Sequence, residues 1–221
     1  MEAYYARRAR EYESIFEKPE RQADLARLRA DLPALFKGAR VLEIACGTGY
    51  WTPLIAAQAQ SILALDYNEE TLAIARSKKY PKANVRFERG DAYALPAWPQ
   101  KFSACYAGFW WSHVPLSRLD AFLTGLHSRL EPGATVAFMD NRYVEGSSTP
   151  ISRRDAEGNT YQQRRLADGS SHEVLKNFPT ADEMRSRLGR FGTDVGFSEY
   201  EYYWVATYRI MAGKTSGGGT Q

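Results

Sequence analysis

From residue 40 onward the chain alternates short apolar runs with amphipathic stretches. Val41, Leu42 and Ile44 suit a buried strand, and Trp51, Leu54 and Ile55 open a helical repeat over 51–59. The alternation continues with strand 61–66 and helix 69–79, then strand 84–88, strand 103–108, helix 116–130 and strand 134–140. Pro132-Gly133 marks a loop between the last two. Two helices, 2–17 and 20–31, precede the series and are separated by Pro19. Strands and helices joined by short connections predict a doubly wound, mostly parallel α/β sheet with right-handed crossovers.

The last third breaks this rhythm. Residues 141–160 are polar and turn-rich and read as a mobile loop. Two strand-like runs around Asp168-Gly169 predict a β-hairpin. A helix at 180–189 and aromatic strands near 194–208 complete the pattern, and 211–221 read as a disordered tail. The expectation is one domain over 1–210, with a helical lid at 1–32 and a loop-and-hairpin addition at 141–178.

Composition narrows the class. The 221 residues are 44% hydrophobic and 25% charged, enough for a core in one good-sized domain. A net charge of +3 is too small to argue for nucleic acid. Cys46 and Cys105 lack metal spacing and sit in apolar contexts, which points to packing and a reducing compartment. No run approaches a membrane span, and the charged N-terminus has no apolar signal region. A cytoplasmic protein without metal, membrane or nucleic-acid partner is expected; the oligomeric state is not legible.

Gly47 and Gly49 fall at the first strand-to-helix turn, where backbone N–H groups are open to a ligand. A dinucleotide fingerprint needs a third glycine where Thr52 stands. Instead there are acids at three successive strands: Glu43 within the first, Asp66 closing the second, and Asp91 after the third. Such acids favour a ligand with a cationic head, a ribose and an adenine, and would repel a pyrophosphate.

These residues resemble the glycine motif of the class I S-adenosylmethionine-dependent methyltransferases, carried here by E-I-A-C-G-T-G. The resemblance implies that Asp66 meets the ribose hydroxyls, that Asp91 and Ala92 mark the adenine edge, and that Gly47 and Gly49 line the methionine portion. Glu43, Ala45, Trp51, Thr52 and Tyr67 join the cofactor set expected around this loop. YYARRAREYESIF, ACGTGYWT, FWWSHVP and RRLADGSSHEVLKNF together are similar to a subgroup of small-molecule methyltransferases that includes a phosphonate O-methyltransferase of the dehydrophos pathway. The subgroup acts on several small metabolites, so no acceptor follows from the resemblance.

Tyr5, Arg8 and Tyr12 share one helical face. Periodicity alone leaves a surface helix and a lid both open; the subgroup resemblance implies that Tyr5 and Arg8 cover the cofactor and that Tyr12 reaches the acceptor. Trp110 and Trp111 are expected to wall the transfer chamber just after the fourth strand. His113 is the candidate catalytic residue, as general base, as an orienter of an acidic substrate, or as a brace for the Pro115 turn. Arg142, Arg164 and Lys176 are candidate acceptor anchors. A two-residue Asp168-Gly169 turn would set Arg164 opposite Glu173 and put Arg164 and Lys176 on opposite faces, whereas the subgroup pattern pairs them; a longer turn would reconcile the two. His127 reads as structural. The expected function is methyl transfer from S-adenosylmethionine to an oxygen of a small acidic metabolite. The rivals are N-methylation of a small heterocycle or amine, and a regulatory protein that binds the cofactor without catalysis.

Overall fold

The computed structural model describes residues 12–82, 84–166 and 168–211. Its strands are β1 Arg40–Ile44, β2 Ser61–Asp66, β3 Val85–Arg89, β4 Phe102–Gly108, β5 Leu130–Asn141, β6 Ile151–Arg154, β7 Thr160–Arg165, β8 Ser171–Leu175, β9 Gly192–Glu199 and β10 Tyr203–Ile210. Its α-helices are α1 Gln22–Asp31, α2 Thr52–Ala56, α3 Glu69–Ser77, α4 Leu119–His127 and α5 Ala181–Gly189. Seven strands form one sheet in the order β3-β2-β1-β4-β5-β10-β9. The first five in that order run parallel, while β10 is antiparallel to both β5 and β9. The doubly wound, mostly parallel sheet expected from the alternation is present.

Strand periodicity decides what each face buries. Leu42 and Ile44 of β1 join Leu63 and Leu65 of β2 on one face, under Phe122 and Leu126 of α4 and Leu188 of α5. Val41, Ile62 and Ala64 point the other way, against Leu25 and Leu28 of α1 and Ile55 of α2. Covered on both faces, such strands read as continuous apolar runs. α5 begins with a capping box in which the Thr180 hydroxyl accepts from the Glu183 N–H at 3.2 Å.

Boundaries shift where local geometry intervenes. The helix expected over 116–130 is a 3-10 turn, Leu116–Arg118, followed by α4. β5 begins at Leu130 and carries Pro132-Gly133 through a register irregularity against β4. Of the expected 2–17 helix, Tyr12–Phe16 is a 3-10 turn, and residues 1–11 lie outside the described residues. The 141–160 stretch contains β6, which pairs with β7 and thereby makes the hairpin a three-stranded antiparallel sheet.

The hairpin register differs from the two-residue turn. Arg164 stands opposite His172 and Gln163 opposite Glu173. The longer turn is held by Leu166 N–H to Ser170 O at 2.9 Å and by Asp168 Oδ1, which accepts from Ser170 N–H at 2.8 Å. One residue of slip turns every side chain over, so Arg164 shares a face with Gln162, Val174 and Lys176. Glu173 pairs with Arg153 at 2.6 Å instead of Arg164.

Candidate active site

Chain reversal after β1 is achieved by left-handed backbone at Ala45 (φ 52°), Gly47 (φ 57°) and Gly49 (φ 70°). The two glycines serve different ends. A Cβ at Gly47 would meet nothing within 4 Å, and its N–H donates to Asp66 Oδ2 at 2.9 Å. A Cβ at Gly49 would sit 3.0 Å from Ala75 Cβ on α3 and 3.1 Å from the Tyr80 hydroxyl. Gly49 therefore permits α3 to approach the loop and does not line the cleft, contrary to the expectation from the motif.

A cleft of about 660 Å³ opens at the carboxyl ends of β1, β2 and β4, with Gly47, Asp66, Asp91, Ala92, Trp110 and His113 among its walls. Ala45, Tyr12 and the half-exposed Tyr67 line it too, with Arg89 stacked on the Tyr67 ring at 5.4 Å. Asp66 also accepts from Asn68 N–H and the Thr71 hydroxyl, each at 2.9 Å. Burial raises its carboxyl pKa above the usual value, and those three donors hold the rise in check. Asp91 Oδ1 accepts from Tyr93 N–H at 2.8 Å, fixing the turn that presents Ala92.

Beneath the loop lies a small cavity of about 20 Å³ bordered by Glu43, Trp51, Tyr12 and Tyr106. Glu43 is 2% exposed, and its Oε2 has no hydrogen-bond partner among the described residues. Burial pushes its carboxyl up to about 8. Thr52 is fully buried beside it and lines no cleft; it acts on Glu43 and not on a ligand directly. The N-terminal turn closes over this region. Glu13 accepts from the Thr48 hydroxyl at 2.6 Å and pairs with Lys78, and Phe16 stacks on Tyr50 at 3.9 Å.

These residues fit S-adenosylmethionine. The orphaned Glu43 oxygen suits an ammonium, the open side of Gly47 leaves room for a chain against the backbone, and Asp66 and Asp91 offer acceptors to hydroxyls and an amine. Among the described residues, Arg118 is the one Lys or Arg lining this cleft, which leaves little to hold a pyrophosphate.

A second cleft, about 420 Å³, adjoins the first; Tyr12, Phe109 and His113 line both. Lys18, Arg21, Arg164, Arg165 and Lys176 reach it, and among the described residues no carboxylate lines it. Lys176 is 3% exposed and donates to Asp140 Oδ1 at 2.6 Å and to the Ser112 hydroxyl at 2.7 Å. Asp140, fully buried, also accepts from Ser112 N–H at 3.0 Å and Asn141 N–H at 2.8 Å. Its lysine and those donors outweigh burial and keep it ionised. Burial and the Arg164 charge bring Lys176 down to about 8 even against the pull of Asp140.

His113 stands at the junction. It is 5% exposed, and its Nδ1–H donates to Leu175 O at 2.6 Å, which fixes the tautomer. Burial, with the Lys176 charge, lowers it to about 3. Burial thus holds the imidazole neutral, with its Nδ1–H committed to Leu175 O.

Other expectations divide. Trp110 lines the cofactor cleft. Trp111 does not; it is a core residue, 2% exposed, against Phe138 at 5.0 Å. Trp51 is buried and reaches only the small cavity. Arg142 is drawn away from both clefts by Tyr200 O at 2.6 Å and Glu199 at 3.4 Å. Lys176 reaches the second cleft, with its ammonium held by Asp140. Tyr5 and Arg8 lie outside the described residues. His127 bonds the Tyr208 hydroxyl at 2.6 Å, a structural place. Sequence reasoning missed Lys18 and Arg21, brought in by partners more than a hundred residues away, Phe109, placed by the turn after β4, and Asp140, whose partners Ser112 and Lys176 come from other elements.

The comparisons agree with this geometry. A family model described as a methyltransferase domain matches residues 41–133. Demethylmenaquinone methyltransferase of Staphylococcus epidermidis is 31% identical over 107 residues, 47% of this chain and 44% of that protein. The alignment thus spans under half the length of the curated relatives it matches. The structure of a DhpI–SAH complex superposes with a TM-score of 0.74 at 30% identity, covering 95% of this chain and 94% of that one. A DhpI–SAM–HEP complex gives 0.74 at 32% identity, covering 93% and 94%. PH0226 from Pyrococcus horikoshii, at 18% identity and a TM-score of 0.70 over 90% of this chain and 98% of that one, shares the fold. Matched along nearly its whole length at such identity, and built around this glycine loop, the chain belongs to the class I S-adenosylmethionine-dependent methyltransferases.

Proposed function

We propose that the protein transfers a methyl group from S-adenosylmethionine to an oxygen of a small acidic acceptor. The observation that carries the reading is the cation-lined cleft, without a carboxylate among the described residues, that meets the cofactor cleft at His113. S-adenosylmethionine supplies, when bound, a methyl group on a positively charged sulfur. Glu43 would take its ammonium, Asp66 its ribose, and Asp91 with the Ala92 N–H its adenine. Tyr12, Phe109 and Trp110 enclose the junction and keep water from it, and confinement of this kind brings reacting atoms to near-attack distance. Arg164 holds the acid, and His113 orients it. An ionised acid oxygen is a competent nucleophile as it stands. It forms the C–O bond as the C–S bond breaks with its electron pair passing to sulfur; both charges vanish and no proton moves. A protonated amine would meet like charge in the second cleft.

No helix among the described residues is long and apolar enough to cross a membrane. The test is a panel of small carboxylates, phosphonates, alcohols and amines, read by S-adenosylhomocysteine release. Acids should be the acceptors; turnover confined to amines would overturn the reading.

A further inference from the structure

The second cleft holds more positive charge than one acid needs, and its cations stand on different walls. Arg164 and Lys176 come from the small antiparallel sheet, with Lys176 already neutralised by Asp140. Arg21 and Lys18 come from the N-terminal segment. Arg21 is 8% exposed, and its guanidinium is fixed by Asn141 Oδ1 at 3.2 Å and the Ser147 hydroxyl at 3.0 Å. The rings of Tyr202 and Tyr203 lie beneath it at 5.4 and 5.8 Å. Its Nε–H is buried with no partner, and among the described residues no carboxylate lies within ion-pair distance of it. Glu20 accepts from the Ser147 hydroxyl at 3.1 Å and pairs with Lys18 at 3.8 Å, and it does not line the cleft. Lys18 donates to Ser147 O at 3.2 Å on the same wall.

A buried cation with no direct ion pair, and Glu20 only beyond a shared hydroxyl, is costly unless something anionic completes it. Arg21 is also one of the charges that depress Lys176 across the cleft, so the two walls repel each other until an anion stands between them. Nothing in the methyl-transfer reading uses Arg21, because Arg164 suffices for the group that is methylated.

We propose that Arg21, with Lys18 behind it, is a second anion subsite, and that the acceptor is a small molecule bearing two separated acidic groups. One group lies at the His113 junction and is methylated; the other is held by Arg21 and stays ionised. The product is a monoester that keeps one negative charge. This inference rests on the acid-acceptor reading and narrows it.

The test is calorimetric binding, with S-adenosylhomocysteine present, of malonate, succinate, glutarate and phosphonoacetate against propionate, butyrate and methylphosphonate, paired with methyl-transfer assays on the same compounds. At least one diacid should bind about 10–100-fold more tightly than its matching monoacid, the range of a charged hydrogen bond. Arg21→Gln should erase that preference while leaving monoacid binding unchanged. Lys18→Gln, a surface change, should reduce it, and provides the readout if Arg21→Gln does not fold. Equal binding of diacids and monoacids, or an equal loss of both in the variants, overturns the second subsite and leaves the acid-acceptor reading in place. Failure of every acid to bind or react, beside turnover of amines or alcohols, overturns both.

Discussion

Acid titration of stability should expose the buried His113. In the native protein this imidazole is 5% exposed and held to about 3, while an unfolded histidine titrates near 6.5. The native pKa is the lower, so the unfolded state takes up the proton first and stability falls as pH drops below about 6.5. At pH 5 the unfolded histidine is almost fully charged and the native one still neutral, so this residue alone costs about 2 kcal/mol relative to pH 8. The figure barely depends on the native value, provided that value lies well below 5. His127, lowered to about 4 by burial, acts in the same direction. Glu43, raised to about 8, acts in the opposite one, gaining stability as pH falls toward its ordinary value. The useful quantity is therefore the difference between wild type and His113→Gln, whose amide can still donate to Leu175 O. Urea unfolding of both at pH 8, 7, 6 and 5 should show wild type losing about 2 kcal/mol more than the variant. Parallel curves would refute a neutral buried histidine.

With an identified acceptor, His113→Gln should keep most of its kcat in steady-state kinetics, since an ionised acid oxygen needs no base. Lys176→Met should lower unfolding free energy by about 3–5 kcal/mol by stranding Asp140, and adding Asp140→Asn should recover part of the loss in thermal melts; Arg164→Ala should chiefly raise KM. Gly47→Ala and Gly49→Ala should each cost about 1–2 kcal/mol for left-handed backbone. Gly49→Ala should cost more because of its contact with Ala75, while only Gly47→Ala should weaken S-adenosylhomocysteine binding beyond its effect on the melt. Asp66→Asn, which spares the loop from losing an acceptor altogether, should weaken that binding by about 1.5–3 kcal/mol in calorimetry.

The parallel half of the fold was legible because β1, β2 and β4 are buried on both faces and announce themselves as apolar runs. The glycine loop was legible as a turn, yet the separate duties of Gly47 and Gly49 depend on α3, which no local pattern reveals. The hairpin was visible, but its register hung on whether Leu166 and Ser170 bond across the turn. Trp111 looked like a site residue because it adjoins Trp110; it opens a 3-10 turn and packs on Phe138, while Trp110 stays at the cleft beside Tyr93. Arg21 carried no signal at all. Its importance comes from Asn141 and Ser147, some 120 residues away in sequence.

The antiparallel strand β10 reaches the sheet last and fills the gap between β5 and β9. Until residues 203–210 have left the ribosome, β5 has a bare edge and β9 has no attachment to the sheet. The cofactor half, β1 to β4 with its loop, takes no strand pairing from β10, although Phe109 packs on Tyr203, and it can begin to assemble during synthesis, as chains fold from the N-terminus first. Asp140, next to last in β5, anchors Lys176 and Ser112, so the acceptor cleft takes shape only when the final strand has zipped in. A nascent chain stalled before residue 203 should thus hold cofactor without being able to recognise an acceptor.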